Sequence, residues 1–187
     1  YYNKATQNGL IKHFTTIADA STVPVILYNV PGRTGCNLLP KTVAKLAEHP
    51  NIVAIKEASG NITQMDDIIK NKPADFDVIS GDDGITFPLI TLGAVGVISV
   101  IGNAFPYEFS RMTRLALQGD YANALTIHHK FTELFNLLFV DGNPAGVKAM
   151  LNMMGMIENK LRLPLVPTRI TTYEKMRAVL DALGVKC

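Results

Sequence analysis

Apolar and polar positions along the first part of the chain predict strands and helices in alternation. Four short apolar runs, rich in β-branched residues and ending near Gly, Pro or Asp, are typical of β-strands. The predicted strands cover residues 23–30, 51–58, 76–83 and 95–103. Apolar residues at helical spacing lie before and between these runs. The predicted helices cover residues 9–21, 40–49, 61–71, 85–93 and 106–119.

Repeated strand–helix units predict an α/β fold with a parallel sheet. After residue 119 the strand pattern stops and helical spacing continues to the end of the chain. We therefore place a domain boundary at 119/120, with an α/β domain at 1–119 and a helical domain at 120–187. Four strands are too few to close an eight-stranded barrel. An open, doubly wound nucleotide-binding sheet is the rival, but neither of its glycine-rich phosphate-binding motifs occurs.

Composition narrows the class of protein further. The chain is 48% hydrophobic with a formal net charge of +2, and its basic residues form no run, which argues against nucleic acid or a membrane surface as partner. No apolar run reaches the roughly 18–20 residues that a membrane span needs. Cys36 and Cys187 have no disulfide or metal-binding spacing. These features predict a cytoplasmic protein without a metal.

The chemistry is suggested first by the strand "VAIKEASG" (53–60), which carries a lysine near its end. Because side chains alternate along a strand, Lys56 shares a face with Ala54, and Tyr28 shares a face with Ile26 in the preceding strand. Lys56 and Tyr28 both lie toward the carboxyl ends of their strands, where parallel α/β folds carry their active sites. If both point inward, an amine and a phenol converge.

Such a pair has a specific use. A desolvated lysine has a lowered pKa and can form a Schiff base with a ketone, while a neighbouring tyrosine transfers protons. The alternative is that Lys56 extends to solvent and Tyr28 packs in a core, and the spacing alone leaves both possibilities open. Arg33, in the turn after the Tyr28 strand, suits a substrate carboxylate or is an ordinary loop arginine. In "SGDDG" (80–84), helix capping explains the aspartates better than metal binding.

Several blocks then carry a family resemblance. "YNVPGRTG", "IKEASGN", "SGDD" and "GVISV" occur in an order and at separations that resemble the dihydrodipicolinate synthase family, and "YYNK", "NPAGVK" and "LRLPLVP" also fit. The resemblance implies a (β/α)₈ barrel with a C-terminal helical domain, assembled as a homotetramer. It implies a lyase that condenses pyruvate with L-aspartate-4-semialdehyde in lysine (diaminopimelate) biosynthesis. It also implies that the enzyme uses a covalent Schiff base and no separate cofactor.

The resemblance assigns roles to individual residues. Lys56 resembles the Schiff-base lysine, Tyr28 the proton-relay tyrosine, and Tyr2 the tyrosine that completes the relay from a neighbouring subunit. Arg33 resembles the arginine at the site entrance that receives the carboxylate of the semialdehyde.

The remaining assignments concern the pyruvate pocket and regulation. Gly81 and Ile98 resemble positions whose backbone lines the pyruvate pocket. Tyr1 resembles a residue of the lysine-feedback site that some members have.

The chain departs from the family in one large respect, because the first half of the barrel is absent. That half carries the glycine- and threonine-rich loop with the third relay hydroxyl and the contacts to the pyruvate carboxylate. Residues 1–119 then correspond to barrel strands 5–8, and we expect the chain to be a fragment of a synthase. Alone, it should aggregate or assemble with complementary strands, because its sheet edges are unpaired.

Two other functions stay open at this point. One is an aldolase of N-acetylneuraminate or 2-keto-3-deoxy sugar acids, against which Arg33 in "GRTG" argues. The other is an inactive half-barrel that serves as an interaction module.

Overall fold

Four parallel strands form a single sheet in a computed structural model that describes residues 3–185. The strands are β1 (Val25–Asn29), β2 (Ile52–Glu57), β3 (Asp77–Ser80) and β4 (Gly96–Val97). They lie in the order β1-β2-β3-β4, and each neighbouring pair is parallel. The predicted α/β fold with a parallel sheet is therefore confirmed.

Helices alternate with these strands, as the sequence pattern predicted. They are α1 (Gln7–Ala20), α2 (Pro31–Thr34), α3 (Pro40–Leu46), α4 (Ile62–Asn71) and α5 (Thr86–Leu92). Thr6 and Asn61 cap α1 and α4 by accepting hydrogen bonds from backbone N–H groups of the first turn. The proline at the first position of α2 and of α3 suits a helix start, because its missing N–H would have no helical partner there.

One face of the sheet is buried and the other is partly open. Leu27, Ile55 and Val78 are almost fully buried in a core that includes residues of α1, α3 and α4. In β1, Ile26 and Tyr28 point away from this core and are 47% and 44% exposed. The two-residue period of the strand thus separates a packing face from a face that can hold chemistry.

The second part of the chain is helical. Its helices are α6 (Pro106–Leu117), α7 (Tyr121–Val140), α8 (Ala145–Met153) and α9 (Ile170–Ala182). Phe109 of α6 packs against Phe135 of α7, with 5.9 Å between the ring centroids. Gly146 lets α8 approach α7, because a Cβ at this position would overlap the Leu138 carbonyl group.

The chain divides into two compact units between Ile98 and Ser99, earlier than the sequence boundary at 119/120. Helix α6 packs extensively on α7, and this contact places it in the second unit. The assignment of 1–119 to a half-barrel and of 120–187 to a C-terminal helical domain stays a prediction.

The fourth predicted strand, at 95–103, is wrong in its extent. Only Gly96 and Val97 pair with β3, and Ile101–Asn103 form a 3-10 turn. The Ser99 hydroxyl accepts a hydrogen bond from the Gly102 N–H at 2.8 Å, which turns the chain away from the extended conformation. Within residues 3–185, no helix combines the length and the apolar character needed to cross a bilayer.

Candidate active site

Lys56 and Tyr28 meet at the carboxyl ends of β2 and β1. They are register partners across the two parallel strands, and both side chains lie on the face opposite the core. The Lys56 Nζ atom lies 4.3 Å from the centroid of the Tyr28 ring. That distance is well within the range of a cation–π contact. The structure therefore brings together the amine and the phenol that the sequence pattern placed on one face.

The surroundings of Lys56 favour its neutral form. Partial burial lowers the pKa of Lys56 below the ordinary lysine value, because desolvation disfavours the ammonium form, and the Asp83 carboxylate opposes this to a smaller extent. Lys56 is therefore a better nucleophile near neutral pH than a fully solvated lysine.

Gly81 lies directly beside the Lys56 side chain at the end of β3. Its N–H donates to the Glu57 carbonyl at 2.8 Å, which continues the ladder between the two strand ends. A Cβ at Gly81 would lie 3.0 Å from Lys56 Cε, 2.9 Å from Ala58 Cβ and 3.1 Å from the Glu57 carbonyl oxygen. Only glycine leaves room for the lysine to reach the site.

We predict that Gly81→Ala slows Schiff-base formation at Lys56. The methyl group would crowd Ala58 Cβ, Lys56 Cε and the Glu57 carbonyl oxygen, and of these only Lys56 Cε belongs to a flexible side chain that can move without a backbone shift. Loss of this alignment should lower the rate constant by about 10- to 100-fold. The measurement is the rate of borohydride-trapped pyruvate adduct. Gly96→Ala is the matched control, because a Cβ there has no atom within 4 Å. Equal rates for the two variants would contradict the role of Gly81.

The loop after β3 is held by buried hydroxyl groups. Thr86 Oγ1 donates to Ser80 Oγ or to the Asp82 carbonyl, both at 2.9 Å. The Asp82 side chain caps the following turn by accepting from the Gly84 N–H. The Ile98 N–H donates to the Ser80 carbonyl at 2.9 Å, and the Ile98 side chain is 47% exposed. Ile98 is thereby tied to the strand end that leads into Gly81.

The remaining predicted site residues are Arg33, Tyr1 and Tyr2. Arg33 lies on α2, immediately after the strand that carries Tyr28, and it is exposed. Tyr1 and Tyr2 lie outside the described residues. Within residues 3–185, no group of three or more His, Cys, Asp or Glu side chains could hold a metal ion.

Two residues of this region were missed from the sequence. Asn29 and Glu57 follow Tyr28 and Lys56 in their strands, and both are buried on the core face. The alternation placed them on the same face as Leu27 and Ile55, and a carboxylate on an apolar face is almost never left unpaired. The presence of a carboxylate on an otherwise apolar strand face was therefore the sequence signal that could have identified Glu57 and its buried partners.

The fold and the site together define an α/β protein that carries an amine–phenol pair at the carboxyl end of a parallel sheet. The sequence profile described as the Dihydrodipicolinate synthetase family matches residues 1–183. The chain belongs to this family.

Curated relatives and solved structures agree with that assignment. The 4-hydroxy-tetrahydrodipicolinate synthase of Phocaeicola vulgatus is 79% identical over 188 aligned positions, covering 100% of this chain and 63% of the relative. That of Parabacteroides distasonis is 73% identical with the same coverage. The crystal structure of dihydrodipicolinate synthase from Aquifex aeolicus superposes with a TM-score of 0.96 at 42% identity, covering 100% of this chain and 64% of that one.

A further similar structure was solved with a ligand. The chloride-inhibited dihydrodipicolinate synthase from Acinetobacter baumannii, solved in complex with pyruvate, has a TM-score of 0.95 at 43% identity. The match covers 99% of this chain and 64% of that structure. The chain thus spans somewhat less than two thirds of the length of the relatives that it matches.

Proposed function

We propose that this chain carries the reactive half of a Schiff-base lyase that condenses pyruvate with L-aspartate-4-semialdehyde to 4-hydroxy-tetrahydrodipicolinate. The observation that carries the proposal is the position of Lys56 Nζ, 4.3 Å from the ring centre of Tyr28 at the carboxyl end of the sheet. The lowered pKa of Lys56, caused by burial, and the synthase names of the relatives support it.

Lys56 would act as the nucleophile. Its neutral amine attacks the ketone carbon of pyruvate, and the resulting carbinolamine loses one water to give an iminium. The iminium draws electrons from the adjacent methyl carbon, which loses a proton and becomes an enamine. This enamine attacks the aldehyde carbon of the second substrate. That substrate's own amino group then attacks the iminium carbon, closes the ring and returns Lys56 as a free amine.

Tyr28 would transfer the protons that these steps require. A carbinolamine loses its hydroxyl as water only when a proton is supplied, and the aldehyde oxygen takes up a proton as the carbon–carbon bond forms. The Tyr28 ring already contacts the Lys56 ammonium. The covalent iminium is itself the electron sink, so this route requires no metal or organic cofactor. We assign completion of the relay to Tyr2 of a neighbouring subunit.

We further propose that the four strands are strands 5–8 of a (β/α)₈ barrel and that residues 120–187 form its C-terminal helical domain. The parallel order of the strands and the TM-score of 0.96 to the Aquifex aeolicus synthase support this. The partly open face that carries Ile26 and Tyr28 would then face the barrel interior. Gly81 and Ile98 would line the pyruvate pocket there, since Gly81 lies beside the Lys56 side chain and the Ile98 N–H is bonded to the adjacent strand end.

The assembly and its regulation are part of the same proposal. We expect a cytoplasmic homotetramer, in keeping with the family, and we assign Tyr1 to a lysine-feedback site.

We predict that Arg33→Ala impairs use of the aldehyde more than formation of the pyruvate adduct. Arg33 would pair with the carboxylate of the semialdehyde, which enters only after the iminium has formed. Loss of a charge-assisted pair should lower kcat/KM for the aldehyde by about 10- to 100-fold. Steady-state kinetics measures kcat/KM for the aldehyde, and borohydride trapping measures formation of the pyruvate adduct. The exposed Arg111→Ala is the control. Equal losses in both assays would contradict the role of Arg33.

The function is tested by steady-state assays of the protein at its natural length, with pyruvate and each candidate aldehyde. Turnover with L-aspartate-4-semialdehyde, well above that with N-acetylmannosamine or a sugar aldehyde, is the expected result. Preference for a sugar aldehyde would instead identify a sialic acid or sugar-acid aldolase. Folded protein that turns over none of these substrates and forms no pyruvate adduct would identify an interaction module.

A further inference from the structure

A buried polar cluster lies directly behind the amine–phenol pair. Asn29 is 2% exposed and Glu57 is 0% exposed, although both lie on the core face of the sheet. Asn37 and Gln64 complete the group from the segment after α2 and from α4. We call Glu57, Asn29, Asn37 and Gln64 the carboxylate cluster.

The Glu57 carboxylate is the centre of this cluster. Its Oε1 atom accepts from Asn29 Nδ2 and from the Ser59 N–H, each at 3.0 Å. Its Oε2 atom accepts from Gln64 Nε2 at 3.1 Å. These three donors are neutral amides, and together they hold both oxygens in one orientation. A fully buried carboxylate held in this way is sensitive to any change in its donors.

The remaining members tie the carboxylate to the surrounding segments. Asn29 Nδ2 also donates to Asn37 Oδ1 at 2.8 Å, and Asn29 Oδ1 accepts from the Leu38 N–H at 3.0 Å. Asn37 Nδ2 donates to Gln64 Oε1 at 2.8 Å. The cluster therefore joins β1, β2, α4 and the segment after α2 through polar contacts with defined geometry.

Asn29 and Glu57 of the carboxylate cluster directly follow Tyr28 and Lys56, the amine–phenol pair, on strands β1 and β2. Tyr28 pairs with Lys56 in the register, and Asn29 pairs with Glu57 at the next position. Side chains alternate between faces, so the Asn29–Glu57 contact joins the strand ends from behind while Tyr28 and Lys56 project in front. A shift of the Asn29–Glu57 contact would therefore displace the backbone from which Tyr28 and Lys56 project.

We propose that Glu57 is a positioning residue, which acts through the carboxylate cluster to hold the Lys56 amine over the Tyr28 ring. This inference rests on the proposed function of Lys56 as the Schiff-base lysine. Glu57 touches no reacting atom in this scheme. Its contribution is the alignment of a nucleophile and a proton donor, for which displacements on the order of 1 Å change rates by about 100-fold.

The first test variant is Glu57→Gln, made in the protein at its natural length. It keeps the shape of the side chain but replaces one acceptor oxygen with an NH₂ group. Either orientation of the new amide directs that group at a donor, since both carboxylate oxygens accept hydrogen bonds. Gln64→Met is the second variant, because it keeps the volume and the carboxylate itself but removes one of the three donors to Glu57 and the acceptor of Asn37 Nδ2. Tyr173→Phe is the control, because it removes the hydrogen bond from Tyr173 to Asn152 in the second unit.

The measurement is the single-turnover rate constant for borohydride-trapped adduct at saturating pyruvate, with thermal unfolding measured alongside. We expect Glu57→Gln to lower this rate constant by about tenfold or more, Gln64→Met by less, and Tyr173→Phe hardly at all. We also expect the effect of Glu57→Gln to shrink when Tyr28→Phe is already present, because alignment with the phenol then matters less.

Two outcomes would overturn the proposal. One is a lowered unfolding temperature with an unchanged rate constant in Glu57→Gln and Gln64→Met. The other is an equal fold-loss with and without Tyr28→Phe, which would mean that the cluster acts only on stability.

A separate measurement distinguishes failure of this proposal from failure of the proposed function. If the unaltered protein forms no adduct at Lys56, the function fails. The cluster is then judged by the rate at which acetic anhydride acetylates Lys56, with exposed Lys12 as internal reference. A severalfold change in Glu57→Gln relative to the unaltered protein supports positioning, and an unchanged ratio overturns it.

Discussion

Replacing Lys56 with alanine is expected to abolish turnover, by on the order of 10³-fold or more, while the fold remains intact. The reaction proposed here passes through a bond to Lys56 Nζ, and no other residue of strands β1–β4 carries a side-chain amine. The measurement is kcat/KM with both substrates, together with adduct trapping and a thermal unfolding curve. Lys12→Ala, at an exposed position on α1, is the matched control and should keep full activity.

The Lys56→Ala variant also tests how the charge on Lys56 affects the stability of the folded protein. Burial lowers the pKa of Lys56, so the folded protein binds this proton less tightly than the unfolded chain does. The charge on Lys56 therefore opposes folding at neutral pH, and this opposition disappears as the pH rises through the ordinary lysine range. Lys56→Ala removes this opposition together with the contact to the Tyr28 ring, so the two effects offset each other and the unfolding temperature at neutral pH should change little. For the loss of turnover predicted above, residual activity of Lys56→Ala close to that of the unaltered protein would refute the covalent route.

Replacing Tyr28 with phenylalanine is expected to lower turnover by about 10²- to 10⁴-fold. The substitution keeps the ring that Lys56 Nζ contacts and removes only the hydroxyl group that would transfer protons. Placement of the lysine should therefore survive, and the loss should appear in kcat more than in KM for pyruvate. Pre-steady-state trapping shows whether dehydration of the carbinolamine is the step that slows.

Tyr107→Phe provides the comparison for this prediction, because Tyr107 is 67% exposed on α6 of the second unit. It should leave the rate unchanged. A loss of less than about threefold in Tyr28→Phe would mean that the phenol serves only as a packing surface for the lysine.

The faces of the strands could be predicted from the sequence because they follow from a strict geometric period. Side chains alternate along each strand, so Tyr28 lies on the face opposite Leu27 and Lys56 on the face opposite Ile55. The extent of β4 could not be predicted in the same way. "VGVISVIGN" (95–103) has the apolar character of a buried strand throughout. The Ser99 hydroxyl accepts a hydrogen bond from the Gly102 N–H in a 3-10 turn, and strand propensity does not include that contact.

Details of the site depended on tertiary contacts that a pattern does not contain. The alternation placed an amine and a phenol together, but it could not distinguish a hydrogen bond between them from the ring-face contact that the structure shows. The closeness of Gly81 to Lys56 depends on the register of β2 with β3. The carboxylate cluster likewise arises from segments distant in sequence, since Asn29, Glu57 and Gln64 meet only after the sheet has formed.

The most direct test of the central claim is reduction of the protein with borohydride in the presence of pyruvate, followed by proteolysis and mass mapping of the peptides. The amine of Lys56 is expected to carry the reduced pyruvate adduct, and the label should be absent without pyruvate and absent in Lys56→Ala. A folded protein in which Lys56 stays unlabelled, or in which the label lies on a different lysine, would contradict the claim that this amine captures the keto acid.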